Sequence, residues 1–306
     1  MKIMKYLRKV IPSSILPEKW LKEPVVIPVV RMVGPIMVSN GGHMRSSLNM
    51  ASIAGPLQKA FDMKDAPAVA ISINSPGGSP VQSRLIHERI RQLAAEKGKD
   101  VLVFCEDAAA SGGYMIAVAG DVIIADPSSI VGSIGVVSGG FGFVDAIGKL
   151  GIERRIYTAG TQKAMLDPFK PENPEHVAHL DELLQDLFES FKDLVRRRRG
   201  DKLTEPEDKL FTGAFWTGNK ALDYGLVDEL GDMNSYLKRR YGEDMKTKLI
   251  APPSGFFSLF HSSSLSMGSS HSGSAGDPVD RIAEGLSAER VLASLEERAL
   301  WSRIGL

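Results

Sequence analysis

The chain has 306 residues, with 37 Lys+Arg against 37 Asp+Glu and a formal net charge of zero. That balance excludes recognition of nucleic acid through a large basic field, and 43% hydrophobic with 24% charged residues excludes a wholly disordered chain. The single cysteine, Cys105, excludes an intrachain disulfide and argues against a cysteine-based metal site.

Residues 1–24 form a basic segment with Lys2, Lys5, Arg8 and Lys9. These charges interrupt its apolar residues, so it has no signal-peptide core. It reads either as a weak surface anchor for anionic lipid or as a frayed terminus or oligomer contact. The next apolar stretch, Val25 to Val38, contains Pro28, Arg31, Gly34 and Pro35 and is too short and broken to span a bilayer. The expected location is cytoplasmic, or peripheral on the cytoplasmic membrane.

From residue 25 to 245 strand-like and helix-like runs alternate. Val25–Val33, Ala68–Ile73, Val101–Phe104, Val122–Ala125 and Arg155–Tyr157 are short apolar or β-branched runs. Cys105, which extends the third of them, reads as a small buried apolar residue. One helix opens at Ser79 or Pro80 and runs to about Lys97. A second opens at Asn173-Pro174, an N-cap followed by proline at the first helical position. Its apolar residues, Val177, Leu180, Leu184, Leu187, Phe191 and Leu194, recur at helical spacing before Arg196–Arg199 and Gly200. The four arginines suit a nucleic-acid or lipid patch, or a solvated helix end complementing the helix dipole; the second arrangement is the commoner. The alternation predicts an α/β domain with a mainly parallel sheet. Residues 254–277 are a Ser/Gly-rich linker. Residues 278–306 return to helical periodicity as an amphipathic tail helix, expected to dock on its own subunit, a neighbour or a membrane.

Three glycine-rich turns follow strand-like runs. Asn74-Ser75-Pro76-Gly77-Gly78-Ser79 precedes a helix, and its paired glycines let backbone N–H groups face a cleft, as an oxyanion or phosphate requires. A tight strand-to-helix turn would read the same. Asp107-Ala108-Ala109-Ala110-Ser111-Gly112-Gly113-Tyr114 surrounds one hydroxyl with small residues at the start of an apolar helix. Ser111 is there either a nucleophile, with the Gly112 N–H as oxyanion donor, or a helix cap. The third turn runs from Ser128 through Gly132-Ser133-Ile134-Gly135 to Ser138-Gly139-Gly140. Ser138 repeats the Ser-Gly-Gly pattern but opens no comparable helix, so it ranks below Ser111.

A serine nucleophile needs a base. None of His43, His87, His176, His179, His261 and His271 stands at a strand end near these turns. Lys163 follows the run Arg155–Tyr157 and has no acidic residue within three positions. Lowering a lysine pKa from about 10.4 to about 7 costs roughly 4–5 kcal/mol, which desolvation can supply. Read alone, Lys163 is otherwise an ordinary surface lysine.

Taken together, Ser75-Pro76-Gly77-Gly78, Ala110-Ser111-Gly112-Gly113-Tyr114, Gly132-Ser133-Ile134-Gly135-Val136 and Thr217-Gly218 through Gly225-Leu226-Val227-Asp228-Glu229-Leu230-Gly231 resemble the S49 family of serine peptidases, the signal peptide peptidase A group, over about residues 25–240. The resemblance implies a Clp protease/crotonase-like spiral of βαβ units and hydrolysis of peptide bonds by a Ser–Lys dyad. It implies Ser111 as nucleophile, Lys163, 52 residues later, as base, Ser133 as the residue orienting the lysine, and the Gly78 and Gly112 amides as oxyanion donors. It implies no cofactor and no metal, extended apolar or signal-peptide-like substrates, and a homo-oligomeric ring or dome whose neighbouring subunits complete the active sites. Three other readings are a Clp-like Ser-His-Asp peptidase, a crotonase-type acyl-CoA enzyme and a non-catalytic scaffold binding peptides or a membrane partner. The first lacks its histidine, since none lies between His87 and His176 and position 136 is Val136. The sequence departs from the family in lacking a clear N-terminal membrane anchor and the tandem duplication of the long forms. The linker and tail lie outside the match.

Overall fold

Alternation along three neighbouring strands divides the apolar residues between two faces, which is why these strands read as unbroken apolar runs. In the computed structural model, which describes residues 24–38, 47–251, 295 and 297–306, the elements in chain order are β1 (Val26–Val33), α1 (Met50–Phe61), β2 (Ala68–Ser75), α2 (Pro80–Lys97), β3 (Asp100–Ala110), α3 (Gly112–Ala117), β4 (Val122–Ala125), β5 (Ile130–Gly132), α4 (Val144–Lys149), α5 (Pro174–Arg199), α6 (Glu207–Leu210), β6 (Phe215–Thr217), α7 (Gly218–Asp223), β7 (Glu229–Leu230), α8 (Met233–Tyr241) and β8 (Lys246–Leu249). The expectations for residues 1–23, for the linker and for tail residues 278–294 lie outside the described residues.

Val30 and Met32 of β1, Val69, Ile71 and Ile73 of β2 and Val101, Val103 and Cys105 of β3 point to the larger core, which α1, α2, α3 and α5 help to cover. Their alternates, Ile27 and Val29, Ala68 and Ala70, Leu102 and Phe104, point to the opposite face, where Tyr236 and Leu237 of α8 pack. Phe104 meets Tyr236 edge to face, with centroids 5.7 Å apart. Cys105 is buried and unpaired by any disulfide, and burial pushes its thiol up to about 12.

Local capping chemistry sets the helix starts. The Asn49 side chain accepts from the Ser52 amide while the Ser52 hydroxyl serves the Asn49 amide, a reciprocal box opening α1. Ser79 caps α2 with Pro80 behind it, and Gly98 ends that helix at φ 60. Asn173 caps α5 by accepting from the Glu175 amide at 2.8 Å. The arginine run that ends α5 is a solvated helix end only in part: Arg197 is exposed, while Arg198 and Arg199 turn inward. Arg199 is 2% exposed and reaches the Gly225 carbonyl and Asp228. Arg198 donates to the Val118 and Gly120 carbonyls, groups just past α3 that have no helical partner of their own.

The sheet forks at β3. β1, β2 and β3 pair in parallel. The first half of β3 (Leu102–Cys105) pairs with β4, and the second half (Ala108–Ala110) pairs with β5. Between the halves the β2–β3 register shifts: Ile73 faces Cys105, but Ser75 faces Ala109. The extra β3 residues form a bulge that re-aims the strand end. Ser129 holds the fork open by donating to the Cys105 and Glu106 carbonyls. β5 then pairs antiparallel with β6, and β4 parallel with β7. Parallel strands joined by helices and turned through a forked strand make the Clp protease/crotonase-like spiral.

One expected strand is corrected. Arg155–Tyr157 has no ladder partner among the described residues and belongs to no helix or strand, with Tyr157 92% exposed. A β-branched or aromatic run becomes a strand only where a neighbour supplies the ladder.

Candidate active site

The bulged end of β3 delivers Ser111 to the start of α3. Ser111 adopts φ 51, ψ −120, and its side chain makes no capping hydrogen bond. A left-handed φ at a non-glycine residue is strained, and here the backbone holds it. The Ser111 amide donates to the Gly132 carbonyl at 2.8 Å, and the Ser111 carbonyl accepts from the Met115 amide at 2.9 Å. The hydroxyl is thereby half-buried and uncommitted, which removes the helix-cap alternative.

Gly78 and Gly112 meet beside it. Gly112 opens α3, so its N–H has no carbonyl four residues back within the helix. A Cβ on Gly112 would stand 3.3 Å from the Gly78 nitrogen and 2.3 Å from the Ser83 hydroxyl. Gly78 has φ +140, and a Cβ there would stand 2.1 Å from the Ile36 carbonyl oxygen. Only glycine allows the two turns to approach this closely. Ser133, the residue after Gly132, also has a positive φ of 54, and its amide donates to the Ala214 carbonyl at 2.7 Å.

Ser111, Gly78, Gly112 and Ser133 line one cavity of about 570 Å³, within the range of small-ligand and peptide-side-chain sites. Met115, Val136, Leu187 and Phe191 give it apolar walls, and Leu300, Arg303 and Ile304 reach it from the C-terminal segment. The sequence reading assigned Leu187 and Phe191 to the stripe of α5 without the cavity they border, and singled out neither Ser83 nor the tail residues. Ser138 is exposed and does not line the cavity.

Among the described residues, no His, Lys, Asp or Glu lines the cavity. Among the described lining residues, Arg303 alone carries a charged side chain, and a guanidinium offers donors only. His87 lies behind α3, 3% exposed, with Nδ1 3.0 Å from the Met115 carbonyl. Burial pulls its imidazole down to about 4. Lys163 sits outside the cavity, exposed, in a turn where its amide donates to the Gly160 carbonyl at 3.2 Å. The surrounding segment exposes Val137, Phe141, Leu150, Ile152 and Tyr157, each more than half accessible, and none of the residues of α4 within it is buried.

The distant motifs converge behind Ser111. The Tyr114 hydroxyl, fully buried, donates to the Leu226 carbonyl at 2.8 Å, joining the Ser-Gly-Gly-Tyr turn to Gly225-Leu226-Val227-Asp228. Among the described residues no group of three or more His, Cys, Asp or Glu side chains is placed to hold a metal ion, and no helix is long and apolar enough to cross a membrane.

Comparison with known proteins places this site in a family. Residues 94–244 match the family described as Peptidase family S49. A Brucella melitensis protein named Na(+)/H(+) antiporter NhaA is 52% identical over 294 residues, covering 96% of this chain and 39% of that protein. Protease 4 of Haemophilus influenzae is 34% identical over 224 residues, covering 71% of this chain and 34% of that protein. The putative signal peptide peptidase SppA of Enterococcus faecium is 30% identical over 189 residues, covering 61% of this chain and 54% of that protein. The chain therefore spans between about a third and a half of the length of these relatives. The matched region contains Ser111, the forked strand that presents it, and the Tyr114 and Leu226 segments that brace it, and on these grounds the chain belongs to the S49 family of serine peptidases.

Proposed function

We propose that the chain is a serine endopeptidase whose nucleophile is Ser111 and whose base is Lys163 of a neighbouring copy. The observation that carries this reading is the uncommitted Ser111 hydroxyl, held at φ 51 beside the meeting amides of Gly78 and Gly112. Ser111 Oγ attacks the peptide carbonyl carbon and its proton passes to neutral Lys163 Nζ. The Gly78 and Gly112 amides hold the oxyanion. The C–N bond breaks as the leaving amine takes the proton from Nζ. Water then attacks the acyl-serine carbon, giving a proton to Lys163 Nζ, and the acyl C–O bond breaks as Ser111 Oγ takes that proton, releasing the carboxylic acid and restoring Ser111. Ser133, on the cavity wall, orients the lysine.

The second copy is invoked because no base among the described residues lines the cavity, while the exposed segment bearing Lys163 carries apolar side chains of the kind a subunit contact covers. Such a contact would also exclude water from the lysine, the condition under which an amine can act as a neutral base. The apolar cavity walls suit extended segments with small or apolar side chains, signal peptides among them.

The test mixes two inactive proteins. Ser111→Ala and Lys163→Ala should each lose cleavage of an apolar peptide. After unfolding and refolding together, mixed assemblies should regain it, because one copy contributes the serine and the other the lysine. No recovery in mixed assemblies would contradict a base supplied by a neighbour.

A further inference from the structure

One wall of the Ser111 cavity comes from the end of the chain. Residues 297–302 are helical and are followed by a turn, in which the Ile304 amide donates to the Trp301 carbonyl at 3.1 Å and the Leu306 amide to the same carbonyl at 3.2 Å. Ile304 is 4% exposed and packs with Ala108 and Ala110 of β3, with Trp301 and Ile130 beside them. Ala110 is the residue before Ser111, so the seat of this segment and the nucleophile share one strand end. The two alanines leave the space that Ile304 fills. Arg303 stands between the anchors Trp301 and Ile304, and among the described residues it alone lines the cavity with a charged side chain. A guanidinium presents planar paired donors that match a carboxylate, and Arg303, solvent-exposed, shares the cavity lining with the apolar Leu187, Phe191 and Leu300.

We infer that the C-terminal segment is a specificity element of the Ser111 site, in which Arg303 selects peptides that present a carboxylate inside the cavity. The carboxylate is either an acidic side chain near the scissile bond or the free C-terminus of the peptide. The inference rests on the peptidase reading for where the substrate lies.

The experiment uses the full chain and one alanine–leucine peptide in four forms: neutral with an amidated C-terminus, amidated with one glutamate, amidated with one lysine, and neutral with a free C-terminus. Cleavage is measured as kcat/KM, and binding to the Ser111→Ala protein by fluorescence anisotropy, with the neutral amidated peptide as internal reference. The chain should favour one of the carboxylate-bearing forms roughly tenfold, the size of a charge-assisted hydrogen bond. Preference for the glutamate form identifies a side chain as the source, and preference for the free C-terminus identifies the terminus. Arg303→Ala should bring the ratio close to one, and Arg303→Glu should shift preference to the lysine form. Ile304→Asp, which unseats the segment, should lose the ratio as Arg303→Ala does. Equal ratios in the unaltered chain and in Arg303→Glu would overturn the inference while leaving the peptidase reading intact. Charge preference in binding without cleavage of any form would support the inference and remove the peptidase reading.

Discussion

The Ser111 amide donates to the Gly132 carbonyl at 2.8 Å, so the turn that presents the proposed nucleophile is tied to the turn that carries Ser133. Both serines hold positive φ angles, 51 and 54, and this bond, with that from the Ser133 amide to the Ala214 carbonyl, fixes them. Strain of about 1–3 kcal/mol per such residue persists only where surrounding structure over-determines it. Ser111→Gly should therefore abolish cleavage and leave stability unchanged or slightly raised, since glycine adopts this φ freely. Urea unfolding beside a cleavage assay separates the two effects.

Gly78 is the more demanding glycine. A methyl group there would stand 2.1 Å from the Ile36 carbonyl oxygen, which already accepts from the Ser79 amide at 2.7 Å. Backbone cannot rotate aside as a side chain can. Gly78→Ala should lower kcat by on the order of a hundredfold or more, the scale of a lost oxyanion donor. At Gly112 the obstacle is the Ser83 hydroxyl at 2.3 Å. Adding Ser83→Ala should therefore recover part of the stability lost in Gly112→Ala, with the coupling read from a double-mutant cycle.

Acid should destabilise the fold through His87. Burial is the main cause of its low imidazole pKa, with Arg198, Arg91 and Arg197 adding to it, and it stands at about 4. An unfolded histidine takes up a proton near 6.5. Between these values the unfolded state binds the proton and the folded state does not. Stability is therefore full above about pH 6.5 and falls as pH drops toward 4, by roughly 3 kcal/mol in all. Chemical denaturation at a series of pH values should show this slope, and His87→Gln should flatten it.

Arg199 braces the far side of the site. It is 2% exposed, donates to the Gly225 carbonyl at 3.0 Å through Nε, and pairs with Asp228 at 2.8 Å. Arg199→Ala leaves a half-buried carboxylate with one partner fewer and should cost about 3–5 kcal/mol of stability. Arg199→Lys should recover only part of it, because an ammonium cannot span both acceptors. Denaturant midpoints check both.

Legibility in the sequence followed how local the determining interactions are. The Asn173-Pro174 start of α5 and the Ser79-Pro80 start of α2 were readable because a cap and its partner amide lie within three residues. So was the apolar run of β3 as far as Phe104, and the glycines at Ser111. The continuation of β3 through Asp107-Ala108-Ala109-Ala110 was not, because alanine and aspartate favour other structure and only pairing with the distant β5 makes them a strand. Arg198 and Arg199 looked solvated because their acceptors, Val118, Gly120 and Gly225, are backbone carbonyls far along the chain. Arg303 was invisible for the same reason: its place beside Ser111 depends on the fit of Ile304 against Ala108 and Ala110.

The proposed nucleophile admits the most direct measurement. A fluorophosphonate phosphorylates an activated serine by displacement of fluoride, and peptide mapping locates the adduct. The assembled protein should carry one adduct, on Ser111, formed slowly and lost together with cleavage in Lys163→Ala. An adduct on Ser133 or Ser138, or continued cleavage by Ser111→Ala, would contradict the assignment of Ser111 as the attacking group.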